Sequence, residues 1–352
     1  MIDLRGRRVL FVLDADPAFS GRDFRASGVG GTQSCVVLLS EALAARGAAV
    51  VVANRIGAPV TDAGVRYVPL TAIGAERFDL AVLWKHWSDA VADRGARRVF
   101  IWTDVHIPDP ANLARCCAWA HVSLTLSEFQ RNRLTAATGA IEAEALGRAP
   151  IEVADYPDMP TARERILLYC SVPDRGLYYL KDLFPRIRRA VPDAKLVMTS
   201  DFTLWGGPPA RDAFVKFFEG QQGVEYAGHV TRAELVAWQR RARVMAYPCN
   251  FEEGFCLSAA ECMAAGAVPV TTRAFALTTT VGDGGVLVNG RPRSWFYRRH
   301  FVHACIELLT DDGRWRELAT RGRMRAVREY APQRVLDVLL DAAGPLHGGR
   351  PD

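Results

Sequence analysis

One stretch restricts the fold more than any other: Glu253-Gly-Phe-Cys-Leu-Ser-Ala-Ala-Glu261-Cys-Met-Ala-Ala-Gly266-Ala-Val-Pro269-Val-Thr-Thr, which follows the apolar run Arg243-Val-Met-Ala-Tyr-Pro248. Met245 to Tyr247 read as a buried parallel strand and Gly254 frees the loop after it. Leu257 to Ala265 are strong helix formers, Gly266 stops the helix, and Val268 opens the next strand. A strand, loop, helix and strand in this order belong to an open parallel sheet, whose ligands bind beyond the carboxyl ends of the strands. A helix that starts there turns backbone N–H groups and the positive end of its dipole towards an anion. The functional site is therefore expected around Gly254.

The two carboxylates of the stretch sharpen this expectation. Glu253 lies ahead of the helix and Glu261 about one turn into it, so they flank the anion-binding amides. Set towards hydroxyls rather than towards the phosphate itself, each can accept hydrogen bonds on one side of the anion. A ligand with sugar, diphosphate and ribose in a row fits that spacing. Two isolated glutamates would read as a solvated helix residue and a dipole partner; the surrounding residues decide for the ligand.

The whole stretch resembles the donor-site motif of the retaining glycosyltransferases of GT-B fold, the family-4 type (glycosyl transferases group 1). That motif has a Glu, seven residues and a second Glu, followed by Ala-Met-Ala-x-Gly-x-Pro-Val. Glu253, Glu261, Met263-Ala264-Ala265-Gly266 and Pro269-Val270 match it, with Cys262 in place of the usual Ala. The resemblance implies that Glu253 contacts the transferred sugar and Glu261 the ribose hydroxyls. The amides of Gly254, Phe255, Cys256 and Leu257 would hold the diphosphate.

A length of 352 residues predicts two domains, and 49% apolar with 24% charged residues is an ordinary globular composition. The formal charge of +5 suits anionic substrates or a membrane surface without calling for nucleic acid. Met1 to Arg8 is charged and only briefly followed by apolar residues, with no cleavage pattern and no bilayer-spanning run, so a cytoplasmic chain is expected. Eight cysteines are scattered without Cys-x-x-Cys spacing, which argues against zinc and disulfides. Cys256, at the helix start, could have a lowered pKa, but with no histidine near it in sequence, close packing is the better reading.

Along the first half, strands are predicted at Arg8 to Leu13, Ala49 to Asn54, Leu80 to Trp84, Arg98 to Thr103 and Val122 to Ser127, with a helix over Thr32 to Arg46. This is a doubly wound α/β pattern. The turn Ser27-Gly-Val-Gly-Gly31 enters that helix but lacks the full G-x-G-x-x-G order of a dinucleotide fold. The family carries a Gly-Gly pair here, matched by Gly30-Gly31, which the resemblance assigns to the donor phosphate. Asp14-Ala-Asp16 has a metal-binding spacing, yet it follows the very first strand; the two read as loop residues, and no metal is predicted. Trp84 and Trp102, near strand ends, are candidates for an acceptor-facing wall. Asp104 and His106 follow a strand's carboxyl end, where the family tends to place a functional His; His86 is a second position. Thr138 to Arg163, without clear periodicity, reads as the interdomain connection.

The second half restarts the alternation, with strands at Arg165 to Cys170, Ala194 to Thr199 and Val224 to Ala227, and helices at Gly176 to Ala190, Arg211 to Gln222 and Arg232 to Arg241. Cys170-Ser-Val-Pro-Asp-Arg175-Gly176 resembles the family's Gly-Arg, four residues, Lys-Gly. Arg175 falls on the Lys, keeps its charge and offers a planar fork to phosphate oxygens. The Arg position is taken by Cys170 or Ser171, so the diphosphate leans on Arg175, the helix-start amides and Ser171. Gly228, His229 and Val230 form the turn that in the family meets the nucleobase, ahead of a helix capped by Thr231. Val281 to Val288 also matches the family, whereas Thr279 stands where it usually has Glu. Arg291 to His300 interleaves arginines with Trp295, Phe296 and Tyr297, a pattern of membrane surfaces as well as of solvated arginines over an apolar helix face.

The resemblance as a whole implies a GT-B fold: two doubly wound Rossmann-like domains, 1–160 on the acceptor side and 161–329 for the donor, with a last helix within 330–352 crossing back to the first. It implies a retaining, metal-independent transferase that takes a nucleotide diphospho-sugar, a UDP-sugar by preference, and a hydroxyl acceptor. Catalytic roles would fall to Glu253, Arg175, His106 and Asp104, with no cofactor beyond the substrate and no nucleic acid. A sugar-nucleotide epimerase or phosphorylase of the same fold, or an inactive sugar-nucleotide-binding partner, are the alternatives.

Overall fold

The computed structural model describes residues 3–346 apart from 16, 140–142, 146–147, 160, 162, 200–201, 206 and 209. The chain forms two compact units, Met1–Ile151 with Ala331–Asp352, and Glu152–Tyr330.

The first unit runs β1 (Arg8–Val12), α1 (Gly21–Ala26), α2 (Gly31–Ala45), β2 (Ala49–Asn54), β3 (Val60–Asp62), β4 (Val65–Pro69), β5 (Phe78–Trp84), β6 (Gly95–Trp102), α3 (Pro110–Trp119), β7 (Val122–Thr125), α4 (Glu128–Thr138) and β8 (Ala143–Ala145). The sheet order is β3-β4-β2-β1-β5-β6-β7-β8, parallel except for the β3–β4 hairpin. Branched apolar runs such as Val50 to Val52 sit in its centre, buried on both faces, as strands of a covered parallel sheet require. The hairpin escaped the sequence reading. Its two-residue turn, Ala63-Gly64, has φ of +46° and +77°, the left-handed pair that closes a tight hairpin.

Trp84 and Trp102, read as an acceptor-facing wall, are instead core residues, 0% and 2% exposed. They end central strands, but their rings stay inside the packed layers; Trp84 lies 6.3 Å from the Phe11 ring.

The second unit runs β9 (Glu164–Tyr169), α5 (Leu180–Ala190), β10 (Lys195–Met198), α6 (Arg211–Phe217), β11 (Val224–Tyr226), α7 (Arg232–Arg241), β12 (Ala242–Tyr247), α8 (Leu257–Ala265), β13 (Val268–Thr272), α9 (Leu277–Val281), β14 (Val286–Val288), α10 (Trp295–Thr310) and α11 (Asp312–Tyr330). The chain then returns to the first unit as α12 (Pro332–Ala343), which packs on α2. Arg46, at the end of α2, holds α12 through Gln333 Oε1 (2.6 Å) and Asp337 (2.8 Å). Among the described residues no helix is long and apolar enough to cross a membrane.

The second sheet is wholly parallel, in the order β11-β10-β9-β12-β13-β14. From β9 the chain builds outward through β10 and β11, then returns to lay β12 on the other side of β9. The topological switch point thus lies between β9 and β12. β12 and β13 are buried along their whole length.

The helix expected from Gly176 begins only at Leu180, after two short 3-10 turns, Pro173–Arg175 and Leu177–Tyr179. Gly176 interrupts it: its φ is +136°, and any Cβ there would overlap the carbonyl of Pro248, at the end of β12. The loops after β9 and β12 therefore touch backbone to backbone. Replacing Gly176 by Ala is expected to cost about 2 kcal/mol or more, because both strain and overlap resist the new methyl. Thermal unfolding should show a lower Tm for Gly176→Ala, whereas Gly57→Ala, where nothing crowds the position, should leave Tm nearly unchanged.

Candidate functional site

The switch point gathers three segments of the second unit. Cys170 to Gly176 follows β9, Pro248 to Cys256 follows β12, and α8 begins at Leu257. Ser258 Oγ donates to the Cys170 carbonyl at 2.9 Å and so ties the first turn of α8 to the end of β9. From the other side, Ala276 N donates to the Glu253 carbonyl (3.2 Å), and Thr280 Oγ1 donates to the Phe255 carbonyl. The loop carrying Glu253, Gly254 and Phe255 is thereby held at both ends.

Glu253 is a buried carboxylate, its side chain 5% exposed. Arg175 Nη1 donates to both oxygens, at 3.2 and 3.3 Å, and the Tyr247 hydroxyl donates to Oε1. A buried carboxylate requires such partners, since unpaired it would cost several kcal/mol. Burial acts against the charge of Arg175, but Glu253 more than offsets it and holds the guanidinium firmly protonated. The same guanidinium lies 4.2 Å from the centre of the Phe251 ring. Burial and then the charge of Glu253 push the Tyr247 phenol well above its ordinary pKa, so it stays a donor.

Cys256 caps α8 in the left-handed conformation, φ +74°, which is uncommon for a residue other than glycine. Its thiol is buried, and burial followed by the charge of Glu253 raises its pKa well above the ordinary value. It is not a thiolate nucleophile. Ser171 is buried at 7%, and Cys170 Sγ lies 3.6 Å from Cys262 Sγ on α8.

Glu261 has its own arginine. Arg232 Nη1 donates to Oε1 at 3.0 Å, and Gln239 Nε2 approaches Oε2 at 3.4 Å. Arg232 Nη2 lies 2.6 Å from Asp155. The turn Gly228-His229-Val230 leads directly into this arginine; Gly228 adopts φ +74°, and His229 is exposed. The structure therefore groups Ser171, Arg175, Glu253 to Leu257, Glu261 and the turn at 228–230 along one edge of the second sheet.

Residues 163–311 match the model of the family described as glycosyl transferases group 1. This part of the chain is a group 1 glycosyl transferase domain. No curated protein matches the chain by sequence. Solved structures do match its fold. Sucrose-phosphate synthase from Thermosynechococcus elongatus aligns with a TM-score of 0.74 at 17% identity, over 95% of this chain and 97% of that one. HepE from Anabaena, solved in complex with UDP-glucose, aligns at 0.68 and 16%, over 94% and 97%. A trehalose 6-phosphate synthase from Burkholderia multivorans aligns at 0.71 and 13%, over 96% and 98%. The fold is that of the GT-B glycosyltransferases.

Tyr247, Arg232 and Gln239 of the glycosyl transferase domain escaped the sequence reading. A signal existed for Arg232, a cation in the first turn of α7, where the helix dipole disfavours it. A rule broken locally marks a residue held by something distant.

Outside the glycosyl transferase domain, the first unit keeps Gly30 and Gly31 at the start of α2, with Gly30 as its cap. Asp14 is paired with Arg55 (2.8 Å) and accepts from Ser88 Oγ (3.3 Å); Asp16 lies outside the described residues. Lys85 Nζ stands 3.3 Å from Asp104, and its charge, with the Val105 N–H, outweighs burial to lower the Asp104 pKa. His106 is exposed, whereas His86 is half-buried. Burial first, then the charge of Lys85, lowers the His86 pKa below 6.5. In the folded chain His86 therefore takes up a proton less readily than in the unfolded one. Its contribution to stability is present above about pH 6.5 and is lost as pH falls through the lowered value. Between pH 7.5 and 5.5, His86→Gln should lose less stability than the parent chain in denaturant unfolding; equal losses would refute the assignment.

Proposed function

We propose that the protein transfers a sugar from a nucleotide diphospho-sugar, UDP-sugar by preference, to a hydroxyl acceptor with retention at the anomeric carbon. The observation that carries this reading is the pair of carboxylates at the edge of the second sheet, each set by its own arginine, with the start of α8 between them. In this reading a sugar, a diphosphate and a ribose lie in series along that arrangement. HepE, of like fold, is solved with UDP-glucose.

In this reading the edge of Glu253 left free by Arg175 and Tyr247 accepts from hydroxyls of the transferred sugar, Glu261 accepts from the ribose, and the amides from Gly254 to Leu257 with Ser171 meet the diphosphate. Gly228 to Val230 border the base. The departing diphosphate gains charge as the glycosidic bond breaks, and Arg175 is the cation assigned to meet it. Glu253 is assigned as a hydrogen-bond acceptor rather than a nucleophile. Retention then follows from front-side attack, the leaving phosphate taking the acceptor's proton. Gly30, Gly31, Asp104 and His106 are assigned to the acceptor-side unit in the same scheme. Trp295 and Phe296, 60% and 69% exposed beside Arg299, form the surface through which the chain would touch a membrane. A nucleotide-sugar-binding protein without turnover is the second reading, favoured by Cys170 and Thr279 at positions where the family has charged residues.

Arg175→Ala should lower kcat by about a hundredfold, the cost of removing one donor to a developing oxyanion. It should also lose about 3 kcal/mol of stability, because it leaves Glu253 buried without its cation. Arg175→Lys keeps the charge and should retain a measurable part of both. Steady-state kinetics beside melting curves separate the two effects; an unchanged kcat in a folded Ala variant removes Arg175 from the mechanism. With charge neutralised by Arg175 and amides, turnover should survive a strong chelator. Loss in EDTA with recovery in manganese would reject that part and return attention to Asp14 and Asp16.

A further inference from the structure

We propose that Arg232 and Gln239 are positioning residues for Glu261, and that through them the site prefers a ribonucleotide to its 2′-deoxy counterpart; this rests on the reading of Glu261 as the ribose contact.

Both residues belong to α7 and stand two turns apart, so they share one face of the helix. That face meets Glu261 from both sides. Arg232 Nη1 donates to Oε1 at 3.0 Å, and Gln239 Nε2 approaches Oε2 at 3.4 Å. The Arg232 side chain is only 11% exposed and is braced by Asp155 Oδ2 at 2.6 Å. Burial opposes its charge, but Glu261 foremost, with Tyr156 and Asp155, holds it protonated. Its place in the first turn of α7, against the helix dipole, is compensated by these two carboxylates.

The amide of Gln239 has its orientation set from behind. Its Oε1 accepts from the Tyr156 hydroxyl at 2.6 Å. Tyr156 is buried, and burial followed by the charge of Glu261 pushes its ionisation well above the ordinary value. It therefore keeps its proton and donates, which turns Gln239 Nε2 to Glu261. Carboxylate oxygens only accept, so a turned amide would set oxygen against oxygen.

Glu261 consequently has one lone-pair direction of each oxygen occupied by a fixed protein donor, and its side chain is 14% exposed. A carboxylate has about four such directions, so one on each oxygen is left for a ligand. A vicinal diol supplies two donors. A 2′-deoxyribose supplies one and leaves an acceptor that cannot turn to another partner, which is how a built polar site rejects an analogue lacking a hydroxyl.

The test is calorimetric titration of the full chain with UDP and with 2′-deoxy-UDP. The parent chain should favour UDP by about tenfold or more, the value of hydrogen bonds to a charged acceptor. Arg232→Met should bring the two affinities to within about threefold, and Gln239→Leu should narrow the gap in the same direction. Arg232→Lys, which keeps the charge without the fork, should keep part of the preference. KM for the donor should rise while kcat at saturation stays within about threefold, since the ribose is held alike in ground and transition states. Should Arg232→Met not fold, Arg232→Lys and Gln239→Leu decide. A merely structural role would lower Tm and leave the affinity ratio unchanged in folded variants, and that result would overturn the proposal, as would a parent chain without preference. Glu261→Gln separates the levels. If it leaves UDP affinity intact, the ribose reading itself is wrong; if it alone collapses the ratio, only the positioning roles fall.

Discussion

A carboxylate buried at the point where a parallel sheet reverses its winding must be answered by a cation and a donor, and much of the second unit follows from that demand. Glu253 is answered by Arg175 from the loop after β9 and by Tyr247 from the last position of β12. These come from the two strands that flank the switch point, so the ion pair also fixes how their loops meet. Gly176 permits the meeting, since no side chain fits between it and Pro248. The approach of the two loops, the pairing of Arg175 and the burial of Glu253 are thus one arrangement.

The same logic recurs one turn into α8. Glu261 is answered by Arg232 and Gln239 of α7, and these in turn by Asp155 and Tyr156. Between the two carboxylates lies the start of α8, led by Cys256 in a strained left-handed conformation. Carboxylates that already have protein partners have little freedom to move, so their remaining lone pairs keep fixed directions. That rigidity is what allows a site to measure hydroxyl positions, because binding then pays little for ordering.

The first unit shows where local reading misleads. Trp84 and Trp102 end strands, and a strand end is where ligands are met; yet both rings turn into the core and are 0% and 2% exposed. Which way a terminal side chain points depends on the layer packed over it, and sequence spacing does not record that layer. Lys85 and Asp104, from the ends of β5 and β6, find one another for the same reason. The β3–β4 hairpin is not legible in the sequence because the three residues of β3 are too few for an alternation to stand out.

What the sequence determined by itself was the α/β alternation and the segment that carries the candidate site. α7 and α8 have the bounds that capping residues, helix formers and stop signals predict, because those signals act within one or two turns. The spacing of Glu253 and Glu261 around a helix start singles out the candidate site, since it is written in one continuous segment. Tertiary structure alone decided the partners. Arg175 and Glu253 are 78 positions apart, Arg232 and Glu261 29, and no local pattern links such residues. They meet because the order of strands puts β9 beside β12 and α7 beside α8, which sets an arginine against each buried carboxylate.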